Sequence, residues 1–281
     1  MDLSKVKKIL QDNNLYAKKQ YGQNFLIDKN ILNKIVDASN LSNDSTVVEI
    51  GPGLGSLTEL LIDKCKVVCY EIDDDMVKVL NNRFSDRINK DLYIYHKDFL
   101  KANLEKDLEE YSNLKVVANL PYYITTPILL KILEEMNDLD EMIVMMQKEV
   151  ALRICGKPST KDYNALSVLV QYKHHASILF DVPKGCFYPE PDVTSSIVKI
   201  KRFNQDVFPV NEEFFYSFNR NIFKQRRKTF ANNVKSSYPV SKEAVESILT
   251  NLGYSVTVRS EALDIYDIIK LSDAFYHLLN K

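Results

Sequence analysis

No apolar run in this 281-residue chain is long enough to span a bilayer, so no membrane-spanning helix is expected. The segment Met1 to Tyr16 has no apolar stretch leading to a small-residue cleavage site, and it holds no arginine. Neither a secretory signal nor a mitochondrial leader is expected from it. Cys65, Cys69, Cys155 and Cys186 form no C-x-x-C pair and lie partly in strand-like stretches. A reduced, cytoplasmic protein fits that usage best. The four histidines, His96, His174, His175 and His277, make no ligand set, and the adjacent His174 and His175 would point to different sides of a helix or strand. No metal is expected. Internal repeats and low-complexity tracts are missing as well, and the net charge of −1 argues against a general polyanion binder. What remains is an ordinary soluble composition, 45% hydrophobic and 27% charged, at a length that suits two domains.

Against that background Asn119-Leu120-Pro121-Tyr122 stands out. An exocyclic amine such as adenine N6 is a poor nucleophile, because its lone pair is delocalised into the ring. The Asn119 side-chain oxygen and the Leu120 carbonyl could each accept one N6 proton and steer the lone pair toward an electrophile, while Pro121 fixes the turn that presents them. Tyr122 would stack on the base, as enzymes that hold an extruded base do. A strand end followed by a turn would explain the four residues equally well in isolation. Their surroundings add weight to the chemical reading. Lys115 to Ala118 reads as a buried strand, and Thr125-Thr126-Pro127 followed by Ile128, Leu129, Ile132 and Leu133 reads as a helix start with an apolar face. The motif therefore sits at a strand's carboxyl end, where ligands bind in open α/β sheets.

Short apolar runs alternate with helical patterns from Thr46 to about Lys201. Strands are expected at 46–50, 67–72, 92–96, 115–118, 142–146, 177–182 and 195–201, with amphipathic stretches such as 57–62 and 76–84 between most of them. This is an α/β pattern with a parallel sheet covered on both faces. No helix separates the last two strands, so the final strand is expected to run antiparallel. After Arg202 the chain has linker character over 203–211 and is then helical to the end. A division into 1–205 and 206–281 follows, the second part being a small all-helical domain.

The first of these strands feeds Glu49-Ile50-Gly51-Pro52-Gly53-Leu54-Gly55, whose glycines permit a tight turn and close approach of a ligand to the backbone. A dinucleotide fingerprint needs glycine at 56, where Ser56 stands, which argues against NAD. Glu71 at the second strand end, with Ile72 beside it, could take both hydroxyls of a ribose. Asp98 and Phe99 at the third could bind an adenine amine and cover its ring. Each acid alone could be a strand-end or cap residue. Three successive strand ends carrying Gly, Glu and Asp outline a pocket for a nucleoside without a phosphate cradle, which fits S-adenosylmethionine.

Between Asn219 and Lys235 the chain carries Arg220, Lys224, Arg226, Arg227, Lys228 and Lys235 and no acid. On a helix, Arg220, Lys224, Arg227 and Lys228 share one stripe, while Phe223, Phe230 and Val234 share another. Such a helix would dock by its apolar side and offer phosphates a basic side. A solvated charged face is the plainer reading of an isolated run. Six uncompensated positive charges beside a base-binding motif favour nucleic-acid contact.

Tyr21-Gly22-Gln23-Asn24-Phe25-Leu26, Glu49 to Gly55, Asn119 to Tyr122, Gln147 to Val150, Phe187 to Val193 and Gln225 to Lys228 occur in that order. Together they resemble the ribosomal RNA adenine dimethyltransferase family, in its bacterial KsgA type, from about Lys18 to the carboxyl terminus. The resemblance implies a class I methyltransferase (Rossmann-like) sheet with a helical RNA-binding domain after it. It implies transfer of methyl groups from S-adenosylmethionine to N6 of two adjacent adenosines near the 3′ end of small-subunit ribosomal RNA, within a pre-ribosomal 30S-type particle and by a monomer. It also implies Asn24, Leu26, Gly51, Glu71, Asp98 and Asn119 at the cofactor, with Gly53, Ile72 and Phe99 beside them, and Phe187 as an aromatic wall opposite Tyr122. Two residues depart from the family pattern: Tyr123 stands where many relatives have Asn, and Asn164 where many have Gly. Asn tolerates a left-handed backbone, so the loop at 164 is expected to survive. Leu120 and Asp192-Val193 favour the small-subunit type over the Erm type, and the intact motifs argue against a non-catalytic factor on the same fold.

Overall fold

The computed structural model describes residues 1–136 and 139–280. Its chain contacts divide into two compact units, 1–151 with 177–202, and 152–176 with 203–281. A single division after residue 205 differs from this in the segment 152–176. That segment contributes Tyr163, Val168 and Tyr172, each 1% exposed or less, to the same apolar cluster as Phe215, Phe218, Phe230 and Phe275. The linker pattern at 203–211 marks where the chain returns to the helical unit and gives no sign of the earlier excursion.

Two two-residue strands, β1 (Phe25–Leu26) and β8 (Phe187–Tyr188), pair antiparallel outside the main sheet, with Leu26 opposite Phe187. Strands this short leave no periodicity to detect. All seven expected strands are present: β2 (Thr46–Ile50), β3 (Lys66–Glu71), β4 (Leu92–His96), β5 (Leu114–Asn119), β6 (Glu141–Gln147), β7 (His174–Val182) and β9 (Ser195–Arg202). They form one sheet in the order β4-β3-β2-β5-β6-β9-β7. The first five pair in parallel, and β9 pairs antiparallel to β6, with Met142 opposite Ile200 and Met146 opposite Ser196. β2 is buried at every residue and β6 at six of seven, as strands covered on both faces must be. That is why Met142 to Met146 reads as an unbroken apolar run, and why β2 reads as a strand although Thr46 and Glu49 lie within it.

Helices follow the apolar spacing. In the helix Asp74–Arg83, Met76, Val79 and Leu80 are buried about one turn apart, Asp73 caps the amino end, and Asp74 and Asp75 fill the first turn where the helix dipole favours negative charge. The helix Leu3–Asp12 buries Val6 and Leu10 against Phe25, Leu54, Met76 and Val79. Each such side chain stabilises by about 1.5–3 kcal/mol when fully withdrawn from water. In the helical unit, the helix Ala165–Gln171 is capped by Asn164, whose backbone is extended at φ −162° and whose side chain accepts from the Leu166 N–H at 2.8 Å. The left-handed geometry expected at Asn164 is therefore absent. The residue acts as a helix cap, a role Asn fills better than Gly. Three more helices, Glu212–Ile222, Phe230–Ser237 and Ile265–Leu279, pack their aromatic residues into the same unit. No helix among the described residues is long and apolar enough to cross a membrane.

Candidate active site

Four adjacent parallel strands, β4, β3, β2 and β5, end side by side, and the residues just past each end line one cleft of about 200 Å³. From β2 come Gly51 and Gly53, from β3 Glu71 and Ile72, from β4 Asp98 and Phe99, and from β5 Asn119 to Tyr122. The segment Tyr21 to Leu26 closes another side. Of the residues expected around cofactor and base, only Phe187 does not line the cleft. Its ring is 3% exposed and packs in the core cluster that also holds Leu26.

Both oxygens of Glu71 are engaged by backbone. Oε2 accepts from Gly53 N–H at 3.1 Å, and Oε1 accepts from Ile72 and Asp73 N–H, each at 2.9 Å. The carboxylate thus ties the glycine turn to the β3 end. Burial pushes its pKa up, against the lowering effect of these three donors. Gly53 has φ +56°, and a Cβ there would stand 3.1 Å from the Phe25 ring. At Gly55, with φ +76°, a Cβ would meet Phe84 at 2.7 Å, so that glycine serves packing rather than a phosphate. Asp98 caps a short 3-10 turn through Leu100 N–H at 3.0 Å. Phe99 is buried edge-on against Tyr70. Among the described residues the only basic one lining the cleft is Lys97, held by Asp107 at 2.6 Å. A lining of acids, aromatics and apolar groups whose one cation is already paired fits a nucleoside and not a polyphosphate.

Asn119 donates from Nδ2 to the Asn24 carbonyl at 3.3 Å, and Asn24 donates in turn to the Gly22 carbonyl at 3.1 Å. A carbonyl only accepts, so the Asn119 nitrogen must face it and Oδ1 is left as the acceptor for the cleft. Leu120 is buried and its N–H reaches the Met145 carbonyl at 3.0 Å, which fixes the turn into Pro121. The Tyr122 hydroxyl is bonded to Ser195 Oγ, and burial pushes its pKa up. Tyr123 is 55% exposed at the cleft's edge, its ring against Gly22.

Sequence reasoning missed the burial of Glu49. Thr58 Oγ1 donates to its Oε2 at 2.7 Å, and desolvation pushes its pKa up to about 7. With a folded value above the unfolded 4.5, the protonated form is favoured by folding. That stabilisation is complete below about pH 4.5 and is lost as the pH rises through 7, a swing of up to about 3 kcal/mol. Denaturant midpoints of wild type should fall between pH 5 and pH 8 by more than those of Glu49→Gln. Equal falls would mean that Glu49 is ionised when folded.

The basic run is not a helix. The helix that carries Arg220 stops at Ile222, and Lys224 to Lys228 occupy the connection to the next one, so the expected stripe of Arg220, Lys224, Arg227 and Lys228 does not exist. Two side chains enforce the break. Thr229 caps the helix Phe230–Ser237 through Asn232 N–H, and buried Asn233 grips Gln225 twice, accepting from its N–H and donating to its carbonyl. Arg220 and Lys224 to Lys228 are exposed. Arg226 leans on the Thr160 carbonyl and lies 3.9 Å from Glu261. The apolar residues Phe230 and Val234 are buried as expected.

Residues 14–272 match the family model described as ribosomal RNA adenine dimethylase. The chain belongs to that family. It is accordingly a methyltransferase. It is 43% identical to ribosomal RNA small subunit methyltransferase A of Streptococcus thermophilus over 97% of each chain. Against the enzyme of that name from Geobacillus kaustophilus it is 43% identical over 99% of this chain and 97% of the other. Among solved structures, a dimethyladenosine transferase from Plasmodium falciparum superposes with a TM-score of 0.75 at 26% identity, covering 88% of this chain and 95% of that one. The 23S rRNA methyltransferase ErmE superposes at 0.68 with 23% identity, covering 92% of this chain and all of the other, a likeness of fold.

Proposed function

We propose that this methyltransferase uses S-adenosylmethionine to dimethylate N6 of two adjacent adenosines near the 3′ end of small-subunit ribosomal RNA. The observation that carries the reading is the continuity of one cleft from the Gly51–Gly53 turn and Glu71 to Asn119 and Tyr122. A nucleoside cofactor and a target base can then meet within one enclosure. Glu71, Asp98, Ile72 and Phe99 would hold the cofactor, with Asn24, Leu26, Gly51 and Gly53. The cofactor supplies an electrophilic methyl group. Asn119 Oδ1 and the Leu120 carbonyl would accept the two N6 protons, Pro121 would fix their turn, and Tyr122 would stack on the base, with Phe187 as a second wall. Phe187 is buried in β8, so exposing it to the base would require β8 and the segment after it to shift when RNA binds. A pre-ribosomal 30S-type particle as substrate, a monomeric enzyme and a cytoplasmic location belong to the same reading. Incubating the protein with labelled S-adenosylmethionine and separated ribosomal subunits tests it. Label should enter small-subunit RNA as dimethyladenosine at two neighbouring positions. Label in the large subunit alone would reject the proposal.

The exposed turn carrying Lys224, Arg226, Arg227 and Lys228, together with Arg220 on the helix before it, is proposed to hold RNA phosphates. Replacing all five by Gln should leave cofactor affinity unchanged and weaken binding to the particle by about tenfold or more. The salt dependence of binding should become shallower, because fewer counterions are released. An unchanged salt slope, measured by filter binding across a salt series, would place the RNA surface elsewhere.

A further inference from the structure

Asp73 follows Glu71 by two residues and is 1% exposed, yet it carries more partners than a helix cap needs. Its Oδ1 caps the helix Asp74–Arg83 through Asp75 N–H at 3.0 Å and also takes Lys18 Nζ at 2.7 Å. Its Oδ2 takes Gln23 Nε2 at 2.8 Å. Gln23 Oε1 then accepts the Lys18 N–H at 2.8 Å, and Lys18 Nζ bonds Asp75 as well, at 2.7 Å. Both ends of the Gln23 amide are therefore used. The result is a closed latch that pins residues 18–23 to the β3 end. Asn24 is the next residue, and its carbonyl is what Asn119 Nδ2 contacts.

A buried carboxylate with a cation and an amide is costly to desolvate unless its oxygens are met, and here both are. The network therefore holds one geometry, and it transmits that geometry to the single backbone carbonyl that orients the Asn119 amide. We propose that Asp73 and Gln23 are positioning residues for methyl transfer, setting which end of the Asn119 amide faces the reacting nitrogen. This rests on the reading of Asn119 given above. Neither side chain need touch the methyl donor or the base. Without the latch, the Asn24 carbonyl moves away, the Asn119 amide can rotate, and a donor faces the N6 protons for part of the time.

The test exploits the polarity of the latch. Gln23→Glu sets an acceptor against Asp73 Oδ2, and Asp73→Asn sets a donor against Gln23 Nε2 or Lys18. Combined, the two changes reverse the bond. The new amide nitrogen at position 73 donates to the new carboxylate at position 23, while the amide oxygen keeps Lys18 Nζ and the Asp75 N–H. The second oxygen of that new carboxylate keeps the Lys18 N–H. Each single variant should lose about tenfold or more in kcat at saturating cofactor and particle, and the double variant should recover to within about threefold of wild type. A second measurement needs no RNA. In 15N-labelled protein, the Asn119 side-chain amide resonance, assigned by its absence in Asn119→Ala, should move in each single variant and return in the double one. Variants whose Asn119 resonance stays in place would overturn the proposal, as would single variants of wild-type kcat. If the resonance behaves as expected but wild type itself fails to methylate small-subunit RNA, the latch stands and the substrate reading falls.

Discussion

Asn119→Ala is expected to reduce methyl transfer by about a hundredfold or more while leaving the melting temperature close to that of wild type. The side chain bonds the Asn24 carbonyl at 3.3 Å, a long contact whose loss removes little from the folded state. What the substitution removes is the acceptor proposed to face N6. A preorganised polar group at a reacting centre is typically worth roughly 10²–10³ in turnover, because it needs no reorganisation when charge shifts in the transition state. Asp at this position is the informative companion. It keeps the acceptor but loses the N–H that meets the Asn24 carbonyl, and its charge faces that carbonyl oxygen. Asn119→Asp should therefore also be impaired. Single-turnover rates on particle with cofactor in excess check both. Near-normal turnover in the Ala variant would remove Asn119 from the chemistry.

Glu71→Ala should weaken S-adenosylmethionine binding by roughly ten- to a hundredfold, the range expected when hydrogen bonds to a charged group are lost. The effect has two parts. One is the proposed contact to the ribose hydroxyls. The other lies within the protein: Gly53, Ile72 and Asp73 N–H groups lose their shared acceptor, and the glycine turn is freed from the β3 end. Glu71→Gln separates them. Its single remaining oxygen can serve Ile72 and Asp73 while its amide nitrogen faces Gly53 N–H, donor against donor. Titration calorimetry should rank wild type above Gln and Gln above Ala, and particle affinity should be the same in all three. Equal cofactor affinity in wild type and Ala would remove Glu71 from the cofactor site.

The sheet was legible because strands covered on both faces are mostly apolar, as 142–146 is throughout and 46–50 is apart from Thr46 and Glu49. The strand-end acids and glycines were legible because parallel strands place their carboxyl ends together. The basic run misled because periodicity describes spacing and not continuity. Arg220 to Lys228 has helical spacing, but the capping of Thr229 and the double grip of Asn233 on Gln225 act across a break that a helical wheel cannot register. The placement of 152–176 was illegible for a related reason. Tyr163, Val168 and Tyr172 are as buried as any core residues, and nothing in them says which core they join. The latch at Asp73 was hidden because its partners Lys18 and Gln23 lie 55 and 50 residues away in sequence.

The ladder that joins Leu26 to Phe187 sets an order for biosynthesis. A chain leaving the ribosome from its amino end can complete β2 to β5 early, since those strands lie within the first 119 residues. The strap at 25–26 has no partner strand until residue 188 has emerged, and Tyr122 has no Ser195 until later still. Contacts this distant in sequence form late, because the intervening chain must first be ordered. A nascent or truncated chain ending before β8 therefore carries the strand ends at Gly51, Glu71 and Asp98 without the ladder that holds residues 25–26 in place beside them.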